Sequence, residues 1–183
     1  MAASLRNDRC HLCGESNVIF VTVGTQLPFD RLIRGVDLWA AEHPDIPVFG
    51  QTGTIAGDGY TPKHMEHSST LPPSRYDELC READLIIAHA GTGSFIKALT
   101  FGTPILAVPR KGALNEHRND HQIATADQFS GRTGITIVDE EDMIAPTINT
   151  LLENPVVPDP LPPYAEDTLI NAMRAIVFPE GIS

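Results

Sequence analysis

The sequence predicts a single α/β domain with three layers, in which helices cover both faces of a mainly parallel sheet. Short runs of apolar, β-branched residues alternate with segments in which apolar residues recur every three or four positions. The runs hold few polar residues, which is typical of strands buried on both faces. A length of 183 residues suits one such domain and is too short for two.

The first elements are the clearest. The run at residues 18–23 is apolar and predicts a buried strand. Apolar residues then follow the spacing of one helix face over residues 29–42. Pro44 and Pro47 end that helix, and we expect a short strand at residues 48–51.

The next segment, residues 51–73, is rich in Gly, Thr, Pro and His, and we expect a strand near residues 63–66 within it. A helix is predicted over residues 74–82. Ser74 is expected to cap it, with Asp77 and Glu78 in its first turns favouring the positive end of the helix dipole.

The second half alternates strands and helices in the same way. The predicted strands cover residues 85–88, 105–108 and 135–138, and the predicted helices cover residues 93–101, 119–129 and 142–153. Five prolines within residues 154–163 predict an extended connector, which leads to an amphipathic helix over residues 165–177. We expect residues 1–17 to be a mobile N-terminal extension and residues 18–183 to form the domain.

Composition restricts the function classes. The chain is 42% hydrophobic and 20% charged, and it has no apolar run of the 18 or more residues that a membrane helix requires. Residues 1–17 lack the apolar stretch of a signal peptide, so we expect a cytoplasmic protein. A net charge of −11 argues against nucleic acid as a partner and against direct adhesion to anionic lipid.

Cys10 and Cys13 have the spacing of half a zinc knuckle. A closed zinc site needs four ligands and no second cysteine pair exists, although His64 or His67 are conceivable ligands. The pair lies in the N-terminal extension, and we predict no metal site.

A glycine-rich turn follows the strand at residues 85–88. Gly91 and Gly93 let the backbone turn sharply and approach a ligand closely, and the helix that opens there directs its N–H groups outward. Thr92 and Ser94 add hydroxyl donors. The pattern favours a phosphate group, with an ordinary helix N-cap that binds nothing as the alternative. His89, just before the turn, lies at the same sheet edge, and by itself a strand-end histidine is as often a structural residue as a binding one.

Two further loops end at the same edge of the predicted sheet. Gly24, Thr25 and Gln26 follow the first strand, in a position that suggests contact with a diphosphate or sugar, and a plain tight turn at Gly24 is compatible with that contact. The densest polar cluster of the chain lies between a strand and a helix, and we interpret it as part of the ligand edge. Its candidate binding residues are Arg110, Asn115, Glu116, His117, Asn119, Asp120, His121 and Gln122.

These motifs resemble the nucleotide-sugar half of family-28 glycosyltransferases. The likeness is strongest to the short, single-domain members: the sugar-nucleotide subunit of the eukaryotic N-acetylglucosaminyltransferase of dolichol-oligosaccharide assembly, and the PssE-type bacterial exopolysaccharide subunits. It runs from about residue 18 to about residue 152. The segments that carry it are VTVGTQLPFDR at 21–31, HAGTGS at 89–94, GTP at 102–104, PR at 109–110 and NEHRNDHQ at 115–122.

The resemblance implies the C-terminal half of a GT-B fold, a Rossmann-like domain that binds a UDP-sugar donor without a metal or other cofactor. It implies that half of the active site is supplied by a second, membrane-associated subunit. That subunit would bind a lipid-linked saccharide acceptor, provide the general base for inversion, and recruit this chain to the inner face of the membrane. The bacterial-type segments favour exopolysaccharide synthesis, and Arg110 suits a UDP-glucuronate donor.

Lys97 departs from the family pattern. Many relatives have a glutamate near this position that accepts hydrogen bonds from the ribose hydroxyls, and a lysine cannot accept them. We therefore expect ribose to be held by Glu116, Asp120 or backbone, if it is held at all. A non-catalytic, nucleotide-binding regulatory subunit is the alternative function.

Overall fold

The computed structural model describes residues 17–25, 27–55, 57, 59–118, 120–159 and 161. They form one six-stranded sheet of order β3-β2-β1-β4-β5-β6, in which all five strand pairs are parallel. The strands are β1 (Ile19–Thr22), β2 (Val48–Gln51), β3 (Glu66–Ser68), β4 (Leu85–His89), β5 (Ile105–Val108) and β6 (Ile135–Ile137). The helices are α1 (Asp30–Glu42), α2 (Pro73–Glu82), α3 (Thr92–Phe101), α4 (His121–Phe129) and α5 (Ile144–Glu153).

The sheet divides the core into two clusters because side chains alternate between its faces. Ile19 and Val21 of β1 pack on one face with α1 and α5, whereas Phe20 packs on the other face with α2, α3 and α4. In β4, Ile87 packs on the first of these faces and Ile86 on the other. Helices on both faces explain why β1, β4 and β5 are apolar over most of their length, whereas the edge strand β3 is polar and largely exposed.

Two predicted boundaries are wrong for clear reasons. The predicted strand at residues 63–66 is displaced to Glu66–Ser68, because the N–H groups of Lys63 and His64 donate to the buried carboxylate of Asp37 instead of to a neighbouring strand. Ser74 does not cap α2. That helix begins at Pro73, and its N-terminal position Pro72 has no side-chain cap.

Other boundaries shift by smaller amounts. α3 begins at Thr92, β4 extends to His89, and α4 begins at His121, two residues after its predicted start. Ahead of α5 the chain forms a short 3₁₀ helix, Glu141–Met143. The predicted helix at residues 165–177, residues 1–16 of the predicted extension and most of the second half of the connector lie outside the described residues. Within the described part, no helix combines the length and apolar character that a membrane span requires.

Candidate functional site

A pocket of about 230 Å³ lies at the carboxyl edge of the sheet. It lies where strand order reverses, between β1 and β4, which is the ligand position in open α/β sheets. Its described lining is Val23, Thr25, Leu27, His89, Gly91, Arg110, His117, His121 and Gln122. Seven of these are residues that the sequence pattern selects. Val23 and Leu27 are not, since apolar side chains next to a strand end give no recognisable signal for binding.

The glycine turn forms the N-terminus of α3. Gly91 occupies the N-cap position in extended conformation, and its carbonyl accepts hydrogen bonds from the N–H groups of Ser94 and Phe95 at 3.0 and 3.3 Å. No side chain caps the helix, so its first N–H groups have no side-chain acceptor. Thr92 and Gly93 are exposed at this end. With Ser94 they stand beside the pocket lining rather than in it.

His89 stands between two glycines. A Cβ on Gly24 would lie 2.9 Å from its Cε1 atom, and a Cβ on Gly91 would lie 2.9 Å from its Cδ2 atom and closer still to Nε2. Burial, and secondarily the positive charge of Arg110, lowers the pKa of His89 to about 4. The imidazole is therefore neutral at physiological pH. Its Nδ1 atom is buried and has no hydrogen-bond partner among the described residues.

Arg110 is 2% exposed, and its guanidinium is occupied by the protein itself. One terminal nitrogen donates to the carbonyls of Pro28 and Glu116 at 2.6 and 3.2 Å. The other donates to those of Val23 and Leu27 at 2.9 and 2.7 Å. Burial lowers the pKa of Arg110 to about 10, which leaves it charged. The predicted bidentate pairing of this side chain with a ligand carboxylate would have to break these four bonds.

Glu116 is turned toward the protein and is not part of the described pocket lining. Its carboxylate accepts two hydrogen bonds from Arg31, at 2.7 and 2.9 Å, and a third from the N–H of Lys111 at 2.9 Å. These contacts tie the loop after β5 to helix α1. In this arrangement the carboxylate, which the sequence suggested for ribose, already accepts three hydrogen bonds from the protein itself.

Three further side chains from this part of the chain line the pocket: His117, His121 and Gln122. The two imidazole rings meet edge to face with 4.4 Å between centroids, and the Nδ1 atom of His117 is buried without a partner in the described structure. The side-chain oxygen of Gln122 accepts the N–H of Arg110 at 3.2 Å. That bond orients the amide, so its NH₂ group is the end left for a ligand.

Other predicted residues of this loop support its shape. Asn115 has a left-handed backbone, with φ of 57°, and ends a short 3₁₀ helix, Gly112–Leu114. The Asp120 carboxylate accepts the N–H of Gly112 at 2.7 Å, which closes the loop on itself. Neither residue is in the described pocket lining. Asn119 lies outside the described residues.

The loop after β1 is shaped by a buried polar pair. The hydroxyl of Thr22 donates to the side-chain oxygen of Gln51 at 2.8 Å, and the Gln51 amide donates to the carbonyl of Gly24 at 2.8 Å. Gly24 has φ of 79°, a conformation that favours glycine. Thr25 follows in the pocket lining, and Gln26 lies outside the described residues. The partners from other elements that hold these loops, Arg31 and Gln51, were not predicted.

Lys97 points away from the pocket lining toward α2. Its ammonium group lies 2.6 Å from a carboxylate oxygen of Asp77, and both side chains are more than a third exposed. Within the described part of the chain, no group of three or more His, Cys, Asp or Glu residues is placed to hold a metal ion. Cys10 and Cys13 fall outside that part.

Comparison with known sequences gives one family and two informative relatives. The profile of the Glycosyltransferase family 28 C-terminal domain matches residues 18–157. A Yarrowia lipolytica protein named UDP-N-acetylglucosamine transferase subunit ALG13 is 29% identical over 141 residues, which are 69% of this chain and 67% of that protein. The human protein of the same name is 33% identical over 116 residues, which are 55% of this chain but 9% of the human protein.

Comparison with solved structures gives the same architecture. The glycotransferase of kitacinnamycin superposes with a TM-score of 0.61 at 22% identity, covering 82% of this chain and 38% of that one. At this identity the likeness shows the fold alone. The fold class predicted from the sequence is confirmed, with one refinement: the described sheet is parallel in every strand pair rather than mainly parallel.

Proposed function

The chain belongs to the family of glycosyltransferase family 28 C-terminal domains, and from that premise we propose that it is the UDP-sugar-binding subunit of a two-component glycosyltransferase. One observation carries the proposal. A pocket without acidic residues in its described lining opens at the switch point of the sheet, next to the uncapped N-terminus of α3.

The electrostatics of this pocket suit a diphosphate. Arg110 contributes a buried positive charge, and the α3 N-terminus adds partial positive charge from its first N–H groups. His89 is neutral and offers a hydrogen bond without requiring a counter-ion. An anion placed here is therefore attracted from two sides, and no carboxylate of the described lining repels it.

The size of the pocket supports a two-component enzyme. Its volume of about 230 Å³ is below the roughly 300–1,000 Å³ of typical small-molecule sites. A diphosphate and part of a sugar fit such a space, whereas a whole nucleotide sugar extends beyond it. We propose that a second, membrane-associated subunit covers the remainder and binds a lipid-linked saccharide acceptor. In that arrangement this chain acts in the cytoplasm, at the inner face of the membrane.

The proposed reaction follows from what this half of the site can stabilise. An acceptor hydroxyl attacks the anomeric carbon, and the bond from that carbon to the β-phosphate oxygen breaks with its electron pair leaving on UDP. The α3 N-terminus stabilises the charge that develops on the diphosphate. The described pocket lining holds no carboxylate that could accept the hydroxyl proton, so we assign the general base to the partner. In-line attack gives inversion at the anomeric carbon.

Arg110 is the residue that suggested a glucuronate donor, and its guanidinium is bonded to four main-chain carbonyls. We therefore propose UDP-glucuronate as a second donor to test. The relatives are named as UDP-N-acetylglucosamine transferase subunits, so we propose UDP-N-acetylglucosamine as the first donor to test, with lipid-linked oligosaccharide or exopolysaccharide as the product.

Lys97 favours a second candidate, a nucleotide-binding regulatory subunit without catalytic function. Position 97 is a lysine whose ammonium group pairs with Asp77. It therefore provides no carboxylate that could accept hydrogen bonds from ribose. Such a subunit would bind nucleotide yet support no transfer.

Two measurements separate the candidates. Thermal shifts with UDP, UDP-N-acetylglucosamine, UDP-glucose and UDP-glucuronate rank the ligands, because stabilisation grows as RT ln(1 + [L]/Kd). Radiolabelled transfer to a lipid acceptor is then measured with the chain alone, with partner-containing membranes alone, and with both. Transfer that requires both supports the proposal. Donor binding without transfer favours the regulatory subunit, full transfer by the chain alone contradicts the two-component enzyme, and no shift with any nucleotide contradicts both.

A further inference from the structure

Two arginines tie together the loops that form the pocket. Arg110, at the end of β5, reaches across to the loop after β1, where it bonds the carbonyls of Val23, Leu27 and Pro28. The same guanidinium bonds the carbonyl of Glu116 in its own loop. All four hydrogens of its terminal nitrogens therefore hold main-chain atoms of two pocket loops.

Arg31, on helix α1, also bonds to more than one loop. It holds the Glu116 carboxylate through two parallel bonds and donates to the carbonyl of Pro109 at 2.9 Å. It also donates to the carbonyl of Asp139, after β6, at 2.9 Å. The loops after β1, β5 and β6 are thus connected through two side chains. We call Arg31, Arg110, Glu116 and Phe29 the two-arginine brace.

Phe29 joins the two halves of the brace. Its ring is 1% exposed, with the guanidinium carbon of Arg110 at 4.5 Å and that of Arg31 at 5.3 Å from its centroid. Cations next to an aromatic face are attracted to it, most strongly when water is excluded. Both arginines are therefore held in place by contacts within the protein.

We propose that Arg110 and Arg31 are positioning residues, which keep the pocket loops in their binding shape in the absence of ligand. Arg110 acts through these loops and not as a direct partner of the donor. A preorganised site loses less conformational entropy on binding, which raises affinity without adding a contact. The brace depends on the planar fork of the guanidinium, so a lysine with the same charge cannot replace it.

Hydrogen exchange of the ligand-free protein tests the brace directly. We compare wild type with Arg110→Lys, Arg31→Lys and, as a matched control, Arg81→Lys. Arg81 also lies over a phenylalanine, 4.8 Å from the Phe101 ring, but it is exposed on α2, outside the described pocket lining. The proposal expects faster exchange in peptides covering residues 23–29 and 109–118 in the first two variants, with strands β4 and β5 unchanged. Wild-type exchange in those loops would overturn it.

Calorimetric titration with UDP tests the consequence for binding, and this step rests on the proposed function. Arg110→Lys should weaken UDP binding at least ~10-fold, with a less favourable binding entropy, while Arg81→Lys binds as wild type. Retained affinity in Arg110→Lys would show that charge alone suffices and would overturn the positioning role. If wild type binds no nucleotide, the proposed function fails, and the exchange data still decide the brace. If Arg110→Lys does not fold, Arg31→Lys gives the same decision, since it affects the outer half of the brace.

Discussion

Two loops border the pocket, and different kinds of group hold them. The glycine turn between β4 and α3 is short, and its shape depends on Gly91, because a side chain there would meet the ring of His89. The polar loop between β5 and α4 is shaped by side chains that bond to the protein itself. The comparison shows that many residues in a dense polar run beside a site can hold the shape of the site instead of contacting a ligand.

The difference also separates binding from support within the polar loop. The charged groups of Arg110 and Glu116 are bonded to carbonyls, to Arg31 and to backbone N–H groups. His117, His121 and Gln122 line the pocket beside Arg110. On this side of the pocket a ligand therefore meets imidazoles and an amide, next to a guanidinium whose terminal nitrogens are bonded to main-chain carbonyls.

The largest effect is expected from filling the glycine turn. Gly91→Val places a branched side chain against the His89 ring, whose Cδ2 would lie 2.9 Å from the new Cβ. We expect a loss of about 3 kcal/mol in stability or in UDP affinity from overpacking, measured by denaturant unfolding and calorimetry.

Gly93→Ala is the matched control, because a Cβ there meets no atom within 4 Å. The mechanism is checked with a double variant: His89→Ala should rescue the stability that Gly91→Val loses. Wild-type binding by a folded Gly91→Val protein would remove the turn from the site.

The second effect is a loss of stability in acid, assigned to the same turn. His89 has a pKa of about 4 in the folded protein, against about 6.5 in an unfolded chain. The unfolded state therefore binds a proton first as the pH falls through 6.5, and stability is lost progressively toward pH 4. Between pH 8 and pH 5 we expect this residue to lower the free energy of unfolding by about 2 kcal/mol.

The measurement compares denaturant unfolding of wild type and His89→Gln at both pH values. The variant should lose less stability than wild type over this range. Asp37, whose pKa is lowered by hydrogen bonds from His64, Lys63 and Tyr60 in spite of its burial, titrates below the range and does not interfere. An equal pH dependence in both proteins would show that the histidine is not neutral in the folded state.

The sequence allowed the glycine turn to be predicted better than the polar loop. Strand, turn and helix are adjacent in the chain, so the local pattern at residues 85–101 is enough to predict them. The polar loop depends on Arg31, which is 85 residues from its partner Glu116. Nothing in the local pattern shows that this glutamate is turned inward. Lys63 was likewise predicted in a strand, but its N–H donates to the carboxylate of Asp37, 26 residues away.

The third effect tests whether the polar loop contacts the sugar. Gln122→Ala removes the amide whose oxygen bonds the Arg110 N–H and whose NH₂ end is left for ligand. We expect a loss of about 1.5 kcal/mol, or ~10-fold, in affinity for UDP-sugar, and a much smaller loss for UDP. Equal losses for both ligands would move Gln122 to the nucleotide side of the pocket.

The smallest effect is expected from the hydroxyl of Ser94. This residue lies in the first turn of α3, its main-chain N–H is already bonded to the Gly91 carbonyl, and it is outside the described pocket lining. If the turn acts through backbone groups, Ser94→Ala should weaken UDP binding by no more than about 0.5–1 kcal/mol, the value of one neutral hydrogen bond. Calorimetry alongside Gln122→Ala measures both on one scale. A loss for Ser94→Ala larger than that for Gln122→Ala would mean that the glycine turn, too, binds its ligand through a side chain, and the contrast between the two loops would then be wrong.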